Sequence, residues 1–386
     1  MGKYVLFASI PAWGHIYPVM AGLTELAARG HRVRCVAATG FAQEVGRSVD
    51  VVPYESPMDS ARAELADMGN VLSLMLEETR TSYAVLEKLV REERPDVIVS
   101  DVLATSGWLL GQAFGIPLVR TWPVFASNSE FSLHQDYESR PDTEESMADF
   151  FGAVAGFLAE TGVPDVRPEQ FFDNEADRNI ALFPREMQPR GETFDSRFTF
   201  ITPCIRPAEE SAELGWLRAS QPLAVVSLGT VFNEKIGFFR TCLEGIDRLG
   251  WHAAAALGDK VTPADVGPVS DRVLLRRSLP MIDSLRHASV AISHGGLTST
   301  IEALAQGVPV LVAPQIGEQH AVADRVEALG LGVRLREPFT AAEVADLIKQ
   351  VAHDTAMAER LAEFRRKLRG GRGGGEFADA VEAACP

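Results

Sequence analysis

The stretch His294-Gly295-Gly296-Leu297-Thr298-Ser299-Thr300-Ile301-Glu302, followed by Pro314-Gln315-Ile316-Gly317-Glu318-Gln319, decides how this chain reads. An apolar run over residues 288–293 precedes it and reads as a buried strand. Beyond the glycines, Ile301, Leu304, Ala305 and Val308 recur at helical spacing, so the order is strand, glycine turn, helix. A helix that opens on glycines and hydroxyls presents backbone N–H groups and the positive end of its dipole, a seat for phosphate. Glu302 follows Ser299 by three residues and Thr298 by four, which puts all three on one helical face. With a pyrophosphate at the helix start, that carboxylate stands about one turn away, in reach of ribose hydroxyls. A well-capped helix with Glu302 in solvent accounts for the same residues.

Composition sets the bounds. A chain of 386 residues exceeds one ordinary core and predicts two domains. Its 46% apolar content is that of a folded protein, and no apolar run approaches the roughly 18 residues of a membrane span. Residues 1–10 form a short strand-like run without the cationic start or cleavage site of a signal peptide. Cys35, Cys204, Cys242 and Cys385 are scattered without metal spacing, which predicts free thiols and a cytoplasmic protein. A net charge of −16 repels nucleic acid and anionic lipid, so neither is expected as a partner. The basic run Arg365-Arg366-Lys367, with Arg369 and Arg372, reads as a solvated helix end.

Short apolar runs alternate with helical patterns through both halves, the signature of parallel α/β sheets. Strands are expected at 4–9, 32–38, 97–100 and 118–122, then at 223–228, 251–257, 273–275, 290–293 and 308–313. A long helix over 72–90 either packs the core or lines a pocket. Residues 127–179, rich in Phe and acids with no clean period, read equally as a substrate mouth or a disordered insert. The expected organisation is an N-terminal domain over 1–205, a linker over 206–221, and a C-terminal domain over 222–370. A C-terminal helix over 371–386 then has the option of packing back on the N-terminal domain. Two Rossmann-like domains of this kind face each other across a cleft, with ligands at the carboxyl ends of the strands.

Three further motifs lie at such strand ends. His15, in Gly14-His15-Ile16-Tyr17-Pro18, follows the first strand, and Asp101 closes the strand after Val99 and Ser100. Each by itself also reads as a helix-capping residue. Ser227-Leu228-Gly229-Thr230 ends another strand, with a glycine that lets the backbone approach a phosphate.

Taken together, Pro11-Ala12-Trp13-Gly14-His15, residues 96–101, residues 225–230 and the His294 segment with Glu318-Gln319 resemble the inverting family 1 glycosyltransferases of GT-B fold. The resemblance spans the whole chain and is strongest to the bacterial branch acting on macrolides and other natural products. It implies a sugar donor carried on UDP or dTDP, a small-molecule acceptor, and the family's catalytic dyad on His15 and Asp101. The N-terminal domain would take the acceptor and the C-terminal domain the donor. An alcohol attacking an anomeric carbon needs a base, and a carboxylate on one imidazole nitrogen fixes the tautomer and stabilises the imidazolium. Donor contacts are implied for Ser227, Gly229, Thr230, Ser278, Leu279, His294, Gly296, Thr298, Ser299 and Glu302. Glu318 and Gln319 would read sugar hydroxyls, their alternative being a solvated loop.

For the acceptor the sequence offers Trp13, Leu76, Trp108, Trp122 and Phe125, which fit an apolar or aromatic molecule but fill a core equally well. No metal or other cofactor is expected: the sequence has no Asp-x-Asp pair, and a helix N-terminus meets the charge of a departing diphosphate. One departure stands out. Many relatives carry Trp-x-Pro-Gln where this chain has Ser278-Leu279-Pro280-Met281, so the base must rest on something smaller and UDP and dTDP stay open. The sugar, the linkage atom and the choice between monomer and homodimer stay open as well. The rival readings are a nucleotide-sugar epimerase on the same fold and a non-catalytic partner of another glycosyltransferase. No dinucleotide fingerprint follows a strand, and no Gly-x-x-x-x-Gly-Lys loop is present.

Overall fold

The computed structural model describes residues 2–61, 68–137, 144–163, 166–171, 176–205, 221–230 and 233–386. The chain divides into two compact units. One takes Met1–Gln135, Ser139–Cys204 and Gly371–Pro386; the other takes Asp136–Glu138 and Ile205–Gly370. The stretch read as a linker lies, apart from residue 221, outside the described residues.

The first unit opens with β1 (Tyr4–Ala8), α1 (Trp13–Ala28), β2 (Arg32–Ala38), α2 (Thr39–Val45) and β3 (Asp50–Tyr54). Then come α3 (Pro57–Ser60), α4 (Met68–Glu92), β4 (Val97–Asp101), α5 (Thr105–Phe114) and β5 (Leu118–Trp122). Helices α6 (Leu133–Tyr137) and α7 (Glu144–Thr161) precede β6 (Arg178–Ala181) and β7 (Phe198–Phe200). The seven strands form one sheet in the order β3-β2-β1-β4-β5-β6-β7, with all pairings parallel. Strands buried on both faces read as continuous apolar runs, and β1 and β4 are buried at every position.

The second unit holds β8 (Leu223–Ser227), α8 (Ile236–Asp247), β9 (His252–Ala256), α9 (Pro263–Val266), β10 (Val273–Arg276) and α10 (Met281–His287). It continues with β11 (Val290–Ser293), α11 (Leu297–Gln306), β12 (Val310–Val312), α12 (Gly317–Leu329) and β13 (Gly332–Arg334). Helices α13 (Ala341–His353) and α14 (Thr355–Gly370) close it. Its six strands run parallel in the order β10-β9-β8-β11-β12-β13.

Both sheets reverse their winding beside their first strand, between β1 and β4 and between β8 and β11. At such a switch point the loops leave in opposite directions, and a crevice opens at the carboxyl ends.

The last helix, α15 (Gly374–Glu382), belongs to the first unit and packs on α1. Phe377 is fully buried there, and a Cβ on Gly22 would stand 2.3 Å from its ring. Arg29 of α1 donates to Asp379 at 2.7 Å and to Glu382 at 2.9 Å, while His31 meets Glu382 at 2.8 Å.

One sequence expectation changes. Residues 127–179 carry a helix, α7, whose Phe150, Val154, Phe157 and Leu158 join the core. Those positions keep helical spacing, but the neighbouring Phe and acidic residues obscure it. The basic run is exposed at the end of α14, as expected, while Arg369 also donates to the Ala305 carbonyl at the end of α11 and Arg372 pairs with Asp379.

Candidate functional site

In the first unit the loops after β1 and β4 carry the residues of interest. Ala8 pairs with Ser100, so β1 and β4 end side by side. Beyond β1 the chain turns through Ala12, which caps α1 without a side-chain hydrogen bond, and His15 falls in the first turn of that helix. Asp101 is the last residue of β4 and is fully buried. Its Oδ2 lies 2.9 Å from His15 Nδ1, and its Oδ1 accepts from the Leu103 amide at 2.9 Å. Both carboxylate oxygens are therefore held, and the imidazole is oriented by a group that cannot rotate freely. A carboxylate only accepts, so Nδ1 carries the proton and the lone pair sits on Nε2. The His15 side chain is 13% exposed, enough to be reached by a ligand.

Beside this pair lies a residue that the sequence reading missed. Arg120, in the middle of β5 and opposite Ser100 in register, is fully buried. It donates to the Val102 carbonyl and to Ser100 Oγ, the latter at 3.4 Å. Burial pulls its guanidinium down to about 9, opposed by the charge of Asp101. At neutral pH it remains a cation. An arginine inside the apolar run Leu118–Trp122 was the available signal.

The proposed acceptor residues are used mainly for packing. Leu76, Trp108, Trp122 and Phe125 are all buried, the core-filling one of the two alternatives the sequence left open. Trp122 donates its indole N–H to Asn179 at 3.1 Å, and Phe125 meets the edge of Phe183. Trp13 is half-buried at the start of α1, stacked on Tyr17 at 4.6 Å and tilted on Phe41 at 4.4 Å. Of the five, Trp13 is the one left partly open.

In the second unit β8 and β11 end in matching turns. Ser227 pairs with Ser293, and each serine hydroxyl accepts from the amide two residues on, Gly229 and Gly295, both at 3.2 Å. The His294 ring lies against both glycine turns. A Cβ on Gly229, whose φ is +76°, would stand 2.7 Å from His294 Cε1, and one on Gly296 would stand 2.8 Å from Nε2. Glycine is needed at 229 both for the backbone angle and for the ring. Burial pushes the His294 imidazolium down to about 4, so the ring is neutral at physiological pH, and its Nδ1 has no hydrogen-bond partner.

Helix α11 starts at Leu297 with Gly296 as its cap and no side-chain hydrogen bond closing it. Thr298 and Ser299 stand half-buried in its first turn. Glu302, one turn on, is 7% exposed, which overturns the alternative that leaves it in solvent. Glu318 and Gln319 sit in the first turn of α12, not in a solvated loop. Gln319 is buried and accepts from the Gln315 amide at 2.8 Å. Thr230 and Ser278 are exposed and Leu279 is half-buried, in the loops after β8 and β10. Thus the sequence-predicted donor residues gather in the second unit at the carboxyl ends of its strands.

The chain is similar to known proteins along its whole length. Residues 252–379 match the family described as Erythromycin biosynthesis protein CIII-like, C-terminal domain. The chain is 30% identical to the NDP-glycosyltransferase YjiC of Bacillus subtilis (strain 168), over 99% of this chain and 98% of that protein. It is 31% identical to demethyllactenocin mycarosyltransferase of Streptomyces fradiae, over 98% of this chain and 86% of the relative. Among solved structures it is similar to the glycotransferase of kitacinnamycin, with a TM-score of 0.86 and 30% identity over the full length of both chains.

Proposed function

The chain belongs to the bacterial natural-product glycosyltransferases of GT-B fold, and from that premise we propose that it is an inverting O-glycosyltransferase. The donor is a UDP- or dTDP-sugar, and the acceptor is a hydroxyl on a small apolar or aromatic molecule. The observation that carries this reading is the His15–Asp101 pair, 2.9 Å apart at the switch point of the first sheet. His15 Nε2 takes the proton of the acceptor hydroxyl as its oxygen attacks the anomeric carbon. The bond to the diphosphate oxygen breaks on the opposite face, which inverts the configuration. Asp101 offsets the imidazolium charge as it forms.

The departing diphosphate gathers negative charge, and the start of α11, whose cap Gly296 makes no side-chain hydrogen bond, is suited to it. His294 would contribute as a neutral hydrogen-bonding ring through its unpartnered Nδ1 rather than as a cation. Glu302 would bind ribose hydroxyls, Glu318 and Gln319 would read sugar hydroxyls, and no metal would be needed for charge balance. The four unpaired cysteines fit work in a reducing cytoplasm.

The product's anomeric coupling in NMR, from an α-configured donor, tests inversion: a β-linked product is expected, and an α-linked one would overturn it. Activity should persist in EDTA; loss restored by magnesium would remove the metal-free part. His15→Ala should lower kcat by about 10²–10⁴ on an alcohol acceptor. Its affinity for UDP and dTDP in titration calorimetry should be nearly unchanged, because the donor residues lie in the other unit. The defect should shrink with acidic phenols, which need less help from a base. Asp101→Asn should lose much of the rate, and the double variant far less than the product of the single losses.

A further inference from the structure

The charge balance around Asp101 leads to a third residue. Asp101 is fully buried, and an ionised carboxylate removed from water costs several kcal/mol unless a positive charge compensates it. A resting general base is neutral, so His15 supplies no such charge before the proton moves. Arg120 does.

Arg120 reaches from the neighbouring strand and bonds to Ser100 and Val102, the two residues that bracket Asp101. The other elements around this end of the sheet bring no competing charge among the described residues. Helix α5 has no titratable side chain. On α4, Glu78 accepts from Tyr54, Ser56 and the Met58 amide, and Ser82 binds Ser106 of α5. On β1 the titratable residue is Tyr4, at the far end of the strand. On β6 it is Arg178, also at the start of its strand. Near His15 on α1 stands Tyr17, stacked on Trp13.

We propose that Arg120 is a positioning residue for the His15–Asp101 pair: a permanent buried cation that clamps the end of β4 and holds down the proton affinity of His15. The proposal rests on the reading of His15 as the base. The sign follows from electrostatics. A nearby positive charge disfavours the imidazolium, so its removal lets the pair hold a proton to higher pH.

The test is a pH titration of the His15 imidazole by ¹⁵N-edited NMR, alongside the kcat/KM profile, in the full chain and in Arg120→Met and Arg120→Lys. Arg120→Met should raise the His15 midpoint by about one pH unit. The acid limb of kcat/KM should move with it, and Arg120→Lys, which keeps the charge, should restore most of the position. A folded Arg120→Met with an unmoved midpoint overturns the proposal, since a residue that only packs would lower activity at all pH values alike. If Arg120→Met does not fold, Arg120→Met combined with Asp101→Asn removes both charges and should recover folding. A double variant no better folded than the single one also overturns it. A midpoint that moves without the activity following leaves the role of Arg120 standing and removes the base assignment instead.

Discussion

At the scale of single residues, His294 has a measurable consequence. Its folded-state value is depressed to about 4 by burial, against an ordinary 6.5. The unfolded chain therefore binds the proton first. The associated stability is full above about pH 6.5 and is lost progressively as the pH falls toward 4, up to about 3 kcal/mol. Urea unfolding of the wild type and of His294→Asn, compared between pH 7.5 and 4.5, should give a flatter dependence in the variant. Parallel pH dependence in the two proteins would count against a ring held neutral in the fold. The same reading explains why glycine occupies 229 and 296, where any side chain would meet that ring.

At the scale of elements, α11 concentrates the donor argument. Its cap, Gly296, makes no side-chain hydrogen bond, its first turn carries Thr298 and Ser299, and Glu302 is buried on the following turn. Its far end is held by Arg369 of α14, which donates to the Ala305 carbonyl at 2.8 Å and completes a terminus that favours positive charge. Glu302→Ala should raise the donor KM about tenfold, the worth of a charge-assisted hydrogen bond, with kcat little changed. Unchanged affinity for UDP and dTDP would return Glu302 to a structural role. Strand β11 was legible as a buried apolar run, and β2 and β5 were legible from their β-branched and apolar residues despite Arg34 and Arg120 within them. Strands β3, β6, β7 and β13 were not, since Asp50 and Pro53, Arg178 and Asn179, Thr199, and Gly332 and Arg334 interrupt their apolar residues.

At the scale of the molecule, the chain's last helix is part of its first unit. Phe377 fills a space that Gly22 leaves open on α1, with the Arg29 ion pairs at its edge. Phe377→Ala should cost about 3–5 kcal/mol, whereas Arg372→Ala, at the exposed pair with Asp379, should cost under about 1. Chemical denaturation would separate the two. A negligible loss in Phe377→Ala would mean that the first unit does not depend on its C-terminal helix.

The sequence by itself determined the parallel α/β class, the glycine turns and the family, because apolar periodicity and strand-end motifs are local properties of the chain. It also picked out His15 and Asp101 as strand-end residues, 86 positions apart in sequence. Only the tertiary structure decided that these two meet at 2.9 Å, because their contact depends on β1 and β4 lying side by side. It likewise decided that Trp108 and Trp122 belong to the core, that Glu302 is out of solvent, and that Arg120 stands buried beside Asp101. Burial and charge pairing are set by neighbours from distant parts of the chain, and a linear sequence does not name those neighbours.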